Sequence, residues 1–242
     1  MSKANHIKPK HGESHMVGDL NWIRAGVLGA NDGIVSIAAL VIGLLSAKSV
    51  SYNNLWIAGL SALVAGAFSM GIGEYVSVAS QLDIETANIK QEKTELEEEP
   101  EDELHELAAI YRHRGLSSDL SLQVAKELTE HNALEAHLRD ELGISEHHLA
   151  KPKQAAFISF FAFCIGGALP LICAIFVKSI SDNIHIGYIS IVGLVSVLTL
   201  LGLGLVSANI GGSPVKKAVV RILVGGICAF TISAFFGYWI GN

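Results

Sequence analysis

Two carboxylates and one methionine lie inside otherwise apolar stretches of the chain. Asp32 is in "RAGVLGANDGIVSIAALVIGLL", and Met70 and Glu74 are in "AGAFSMGIGEY". A carboxylate at the centre of a bilayer costs ~3 kcal/mol on insertion scales, so such residues usually have a functional task. Carboxylates bind divalent cations, and a thioether is a soft ligand for late transition metals. The three residues predict a metal site within the membrane. The structural alternative is that Met70 only packs and that Asp32 caps a helix interrupted at "ANDG".

A second set of candidate ligands lies in a polar segment. Its members are Glu92, Glu95, Glu103, Glu106, Glu130, His137 and Glu141. The first four form two pairs at i and i+3, so each pair projects from one helix face. The last three, at i, i+7 and i+11, form one stripe on a third helix. Converging carboxylates repel one another unless a cation lies among them, and carboxylate with imidazole suits divalent first-row metals. The alternative is a solvated acidic face that keeps the segment soluble.

The spacing of these ligands argues against an enzyme. A ferritin-like di-iron centre uses Glu-x-x-His, with the histidine three residues after the glutamate. No glutamate in this sequence has a histidine at that offset, and haem or flavin motifs are absent. We therefore expect a binding surface for divalent first-row transition metals rather than an oxidase centre, with no tightly bound cofactor.

The elements that position these residues are membrane helices. Of the 242 residues, 50% are hydrophobic and 17% are charged, and the mean hydropathy is +0.44. Five apolar runs are long enough to cross ~30 Å of hydrocarbon; they cover residues 25–47, 55–79, 155–177, 186–208 and 219–240. The sequence thus predicts an all-α integral membrane protein with five transmembrane helices. The expected divisions are a polar tail (1–20), two spans (21–80), an acidic insert (81–152) and three further spans (153–242).

The distribution of Lys and Arg predicts the orientation, because positive loops stay in the cytosol. Residues 1–24, 80–154 and 214–221, which lie at the N-terminal segment, the insert and the last turn between spans, contain 15 of the 17 basic residues, and the opposite side has only Lys48 and Lys178. We expect a multi-pass protein of the cell's inner (plasma) membrane, with the N-terminus and the insert in the cytosol and the C-terminus outside.

The insert between the second and third spans reads as a three-helix acidic unit. The second span continues without Gly or Pro from Glu74 to Pro100, which predicts one long helix projecting into the cytosol. A second helix is expected at 101–113, ended by Gly115, and a third from an N-cap at Ser118 or Asp119 to Gly143. Residues 83–146 contain 18 of the 23 acidic residues and six basic ones, which excludes a nucleic-acid partner.

Small residues in the spans indicate close helix packing. Gly26, Gly29 and Gly33 in the first span are matched by several glycines in the second, as expected for a pore lining or a dimer seam. In the third span, Gly166, Gly167 and Pro170 predict a kink or a close helix crossing.

From about residue 16 to its end, the chain resembles a bacterial member of the vacuolar iron transporter (VIT) family. The resemblance is carried by "LGANDGIVSIAALVIG", "AGAFSMGIGEYVSVASQLDIE", "DELGI" and "ALPL". It implies a homodimer of five-span subunits that exchanges cytosolic Fe²⁺, often also Mn²⁺, for protons, with the metal path near the subunit interface.

The resemblance also assigns roles to individual residues. It places membrane ligands at Asp32 and Met70, with Glu74 on the path, and metal-binding glutamates of the insert at Glu92, Glu95, Glu103, Glu106 and Glu141. Plant members carry two methionines four and three residues before the last position, where this chain has His137 and Leu138. We therefore expect a metal exporter with a metal-gathering insert. The rivals are a membrane-anchored metal buffer or sensor and, less favoured, a membrane oxidoreductase.

Overall fold

The computed structural model describes residues 20–47, 51–144, 149–180 and 185–241. Within these ranges every regular element is an α-helix, as the sequence predicts. The seven helices are α1 (Leu20–Ser46), α2 (Tyr52–Glu98), α3 (Pro100–His113), α4 (Ser118–Asp140), α5 (Pro152–Ile180), α6 (His185–Ile210) and α7 (Val215–Gly241).

Five of these helices are long and apolar enough to cross a membrane, namely α1, α2, α5, α6 and α7. The prediction of five spans is confirmed. Helix α2 has 47 residues, so it measures ~70 Å at 1.5 Å per residue, about twice what a bilayer requires. Its apolar sequence ends near position 79, and the charged remainder extends beyond the membrane into the insert.

Helix α1 is the central span, and its glycines bring it against α5. A Cβ atom at Gly29 would collide with the backbone of Ser159, and one at Gly33 with the carbonyl oxygen of Phe163. From the other side, a Cβ atom at Gly166 would meet the backbone of Ala30. These α1 glycines therefore serve packing within the chain, and Gly166 marks a close crossing.

The same contacts fix the helix directions. Contacts between α1 and α5 move to higher residue numbers in both helices at once. The same is true of α1 and α7, where Gly43 lies against Ser233 and Ala47 against Gly241. These three helices are therefore parallel, and α2 and α6 run the opposite way. The first residues of α1, α5 and α7 consequently share one end of the bundle with the insert, which we call the insert end.

Helices α3 and α4 form a hairpin on the projecting part of α2. Gly115, at φ 103°, ends α3, as expected. The N-cap of α4 is Ser117, whose side chain accepts a hydrogen bond from the Leu120 amide. The expected caps, Ser118 and Asp119, instead lie in the first helical turn. A small core around Leu107 and Ala125 joins the two helices.

One carboxylate fastens the end of α4 to the end of α3. Asp140 accepts hydrogen bonds from Tyr111 Oη at 2.7 Å, Arg114 Nη1 at 2.7 Å and Arg139 Nη2 at 2.8 Å. Burial alone would raise the pKa of Asp140, but these donors outweigh it and hold that pKa well below its usual range. Asp140 therefore remains ionised and fixes the segment that contains His137 and Glu141.

Candidate metal sites

The three helices of the insert bring one imidazole and three carboxylates together. Glu92 lies on α2, Glu103 on α3 and His137 in the last turn of α4, and Glu141 is the first residue after α4. One ligand atom from each lies within 4.8 Å of all the others. Nδ1 of His137 is 3.0 Å from Glu92 Oε1, 3.2 Å from Glu141 Oε2 and 3.4 Å from Glu103 Oε2. We call these four residues the insert cluster.

Three members of the insert cluster are buried and Glu141 is exposed, and the negative charges of the cluster are not balanced. His137 is 0% exposed, Glu92 3% and Glu103 8%. Burial, and then the nearby charge of Glu141, raise the pKa of Glu92 to about 7, although His137 partly opposes the shift. Burial also raises the pKa of Glu103. A single imidazole supplies at most one positive charge to three carboxylates, so a divalent cation would stabilise the arrangement.

Two buried polar atoms of the cluster lack a hydrogen bond among the described residues: His137 Nε2, and Glu92 Oε1, whose 3.0 Å contact with His137 Nδ1 does not have hydrogen-bond geometry. Buried polar atoms in native proteins usually have partners, so such atoms mark a site adapted to another task. The combination of carboxylate oxygens and one imidazole nitrogen fits Fe²⁺, Mn²⁺ and Zn²⁺.

The predicted stripe on the third helix does not extend to Glu130. Asn132 has φ −166° and ψ 93°, which interrupts the helix between Glu130 and His137 and breaks their periodicity. Glu130 lies on the exposed surface of α4, outside the insert cluster. Sequence periodicity could not reveal this break, because Asn132 is surrounded by good helix formers.

The other two predicted glutamates border the cluster. Glu95 is half-buried and accepts a hydrogen bond from Gln91 Nε2 at 2.9 Å, and Glu106 is exposed. Both lie close enough to contribute to the raised pKa of Glu103, after the effects of burial and His137. Each i, i+3 pair thus contributes one member to the cluster and one to its edge.

The membrane helices bring Asp32, Met70 and Glu74 to one cavity of about 350 Å³. The lining residues are Asp32, Ser36, Ile37, Leu40, Ala62, Gly66, Ser69, Met70, Gly73, Glu74 and Phe163. Asp32 accepts a hydrogen bond from Ser36 Oγ at 2.9 Å, and no ion pair to it occurs among the described residues. We call this the membrane cavity.

Two features of this cavity differ from what sequence alone suggested. Helix α1 runs from Leu20 to Ser46 without a break, so Asp32 lies in mid-helix and does not cap an interrupted one. Arg24, which sequence analysis used only as an orientation signal, forms an ion pair with Glu74 at 2.9 Å. Residues 50 positions apart give no sequence signal for such a pair, because it requires the antiparallel register of α1 and α2.

Together, the five spans and the two groups of convergent ligands define a polytopic membrane protein that handles cations. Comparison with known proteins identifies the family within this class. The profile of the VIT family matches residues 23–238, so the chain belongs to the VIT family.

Named members of the family are transporters and not enzymes. The chain is 41% identical over 229 residues to a "Vacuolar iron transporter" of Acanthamoeba castellanii, covering 94% of this chain and 82% of that protein. It is 33% identical over 221 residues to "Vacuolar iron transporter homolog 2.1" of Arabidopsis thaliana, covering 91% and 82%. It is 34% identical over 222 residues to "Vacuolar iron transporter homolog 1" of Oryza sativa subsp. japonica, covering 92% and 75%.

Proposed function

We propose that this protein carries Fe²⁺, and also Mn²⁺, across a membrane and out of the cytosol in exchange for protons. The observation that carries the proposal is the convergence of Asp32, Met70 and Glu74 on one membrane cavity in a chain of the VIT family. Intramembrane carboxylates are expensive, and here two of them share a cavity with a soft sulfur ligand. This donor set suits a late divalent metal better than Mg²⁺ or Ca²⁺.

The insert cluster has the role of gathering metal from the cytosol. Glu92, Glu103, His137 and Glu141 offer one nitrogen and several oxygens within 4.8 Å of one another. Because Glu92 has a pKa of about 7, it is partly protonated at neutral pH, and metal binding releases that proton. Glu95, Glu106 and Glu130 then add to the negative field that attracts cations.

We also propose that the protein is a homodimer, and the position of the membrane cavity supports this. Asp32 is partly exposed, and Ser36, Ser69 and Gly73 on the same cavity are exposed in the single chain. Lipid tails cannot satisfy a carboxylate and two hydroxyl groups. A second subunit covering this face would enclose the cavity and complete the metal path.

Transport is tested in proteoliposomes that contain an internal metal indicator and a pH dye. Metal flux with an opposing pH change, both dependent on Asp32, supports the proposal. The alternative is a membrane-anchored buffer or sensor, favoured by the well-formed insert cluster; it predicts binding in solution without flux. The names of the relatives refer to vacuoles, whereas the resemblance to bacterial members of the family implies the inner (plasma) membrane; cell fractionation can distinguish the two locations.

A further inference from the structure

Arg24 of α1 pairs with Glu74 of α2, which lines the membrane cavity. Its Nη2 atom donates a hydrogen bond to Glu74 Oε1 at 2.9 Å. The Glu74 side chain is 6% exposed, whereas that of Arg24 is 55% exposed. The carboxylate is therefore fixed within the protein, while the guanidinium stands at a boundary.

The pair lies on the insert side of the membrane cavity. Arg24 precedes Asp32 by eight residues, or ~12 Å along α1 towards the insert end. Glu74 likewise follows Met70 by one turn of α2 towards the insert. A cation moving from the insert towards Asp32 meets the Arg24–Glu74 pair first.

This geometry makes Arg24 a competitor for the ligand that a metal would use. A carboxylate engaged by a guanidinium has less negative potential to offer a second cation, and the guanidinium repels that cation directly. Asp32 has no such partner among the described residues. The two carboxylates of the cavity therefore differ: Glu74 is paired with the Arg24 guanidinium, whereas Asp32 is available to bind a metal.

We propose that Arg24 is a tethered cation that neutralises Glu74 until a divalent metal displaces it, and thereby sets the metal affinity of the membrane cavity. This inference rests on the proposed transport function. A built-in cation keeps the buried carboxylate compensated in the absence of metal. It also discriminates by charge, since a monovalent ion gains less than a divalent ion from replacing the guanidinium.

The surroundings of Arg24 give the displaced side chain space. Arg24 also borders a second cavity of about 780 Å³, between α1 and the insert ends of α6 and α7. Asn31 and Ser213 supply polar groups there, although Arg221 adds a second cation. The guanidinium can therefore leave Glu74 without entering an apolar environment.

The test uses Mn²⁺ as the probe and the full-length protein. The insert cluster is disabled by His137→Ala and Glu103→Gln in every variant, so that binding reports the membrane cavity. Free Mn²⁺ measured by electron paramagnetic resonance gives the dissociation constant, and Mn²⁺ flux in proteoliposomes gives KM and kcat. Arg24→Gln should tighten Mn²⁺ binding about tenfold, because it removes the competing charge. It should also lower kcat, because release then lacks its competitor.

Three further variants separate competition from a structural role. Arg24→Lys should tighten binding less than Arg24→Gln, because an ammonium still pairs with Glu74 but loses the planar geometry of the guanidinium. In a Glu74→Gln background, Arg24→Gln should have a much smaller effect on affinity, because only the direct repulsion between guanidinium and metal remains to be removed. Lys217→Gln removes an equal charge at the same end of the bundle, outside both cavities, and should leave affinity unchanged.

The inference is overturned if folded Arg24→Gln or Arg24→Lys protein binds Mn²⁺ no more tightly than its parent. It is also overturned if the full effect persists in the Glu74→Gln background or is matched by Lys217→Gln. Absence of Mn²⁺ flux in wild-type proteoliposomes would contradict the proposed function, whereas the binding comparison would still decide the role of Arg24.

Discussion

Replacing Glu92 by glutamine should stabilise the metal-free insert at alkaline pH. Glu92 has a pKa of about 7 in the folded protein against an ordinary value of 4.5, because it is buried beside other carboxylates. Folding therefore favours the protonated form. The stability associated with this proton is fully present below the ordinary value and is lost as pH rises through about 7.

The size of the effect follows from the two pKa values. Compared with a side chain that is always neutral, Glu92 lowers the free energy of unfolding by roughly 3 kcal/mol at pH 8 and by roughly 1 kcal/mol at pH 5. Glutamine keeps the shape of the side chain and removes the cost. The advantage of Glu92→Gln over the wild type should thus grow by about 2 kcal/mol between pH 5 and pH 8.

Amide hydrogen exchange measures this pH-dependent stability difference at the insert helices of the full-length protein. With metal chelated, amides of α3 and α4 should be roughly 30-fold better protected in Glu92→Gln than in the wild type at pH 8, beyond any difference at pH 5. Glu97→Gln, an exposed change on the same helix, is the charge-matched control and should show no pH-dependent difference. With Mn²⁺ added, the order should reverse, because the variant loses a ligand. Equal protection of variant and wild type at pH 8 would refute the assigned burial of a charged Glu92.

Three further outcomes test the remaining assignments. Asp32→Asn should abolish metal flux and the accompanying pH change together while the protein stays folded, since an amide is cheaper to bury than a carboxylate; near wild-type flux would show that Asp32 is not a ligand. The Mn²⁺ affinity of the insert should fall about fivefold from pH 7 to pH 6 through protonation of Glu92, and His137→Ala should lower it at both pH values by removing a ligand; identical calorimetric titrations of wild type and variant would exclude His137 as a ligand. Asp140→Asn should reduce protection of α3 and α4 by about 1–3 kcal/mol at pH 7, because the stability from an ionised Asp140 is present above pH 4 and lost only in stronger acid; unchanged exchange would mean that the clamp contributes nothing.

The fold was largely predictable because each element has a strong local signal. Apolar runs of membrane length gave the five spans, and the uninterrupted sequence from Glu74 to Pro100 gave the long helix. The insert helices ended within a few residues of their predicted limits, because Pro100 and Gly115 are unambiguous stop signals.

The candidate sites were predictable only in part, because they depend on contacts between helices. Spacing selected Glu92, Glu103 and Glu141, but could not show that Glu95 and Glu106 lie at the edge of the cluster. No local signal exists for the ion pair between Arg24 and Glu74. Such pairs depend on helix register, which one sequence does not specify.

The length of α2 has a mechanical consequence. Glu74 and Glu92 are 18 residues apart, which is five full turns, so they lie on the same side of one rod and ~27 Å apart. No Gly or Pro between them provides a hinge. If metal binding at the insert cluster rotates this part of α2 about its axis, the continuous helix transmits the rotation to Glu74. The insert cluster and the membrane cavity are therefore joined by one rigid helix, and the position of the Glu92 carboxylate constrains that of Glu74.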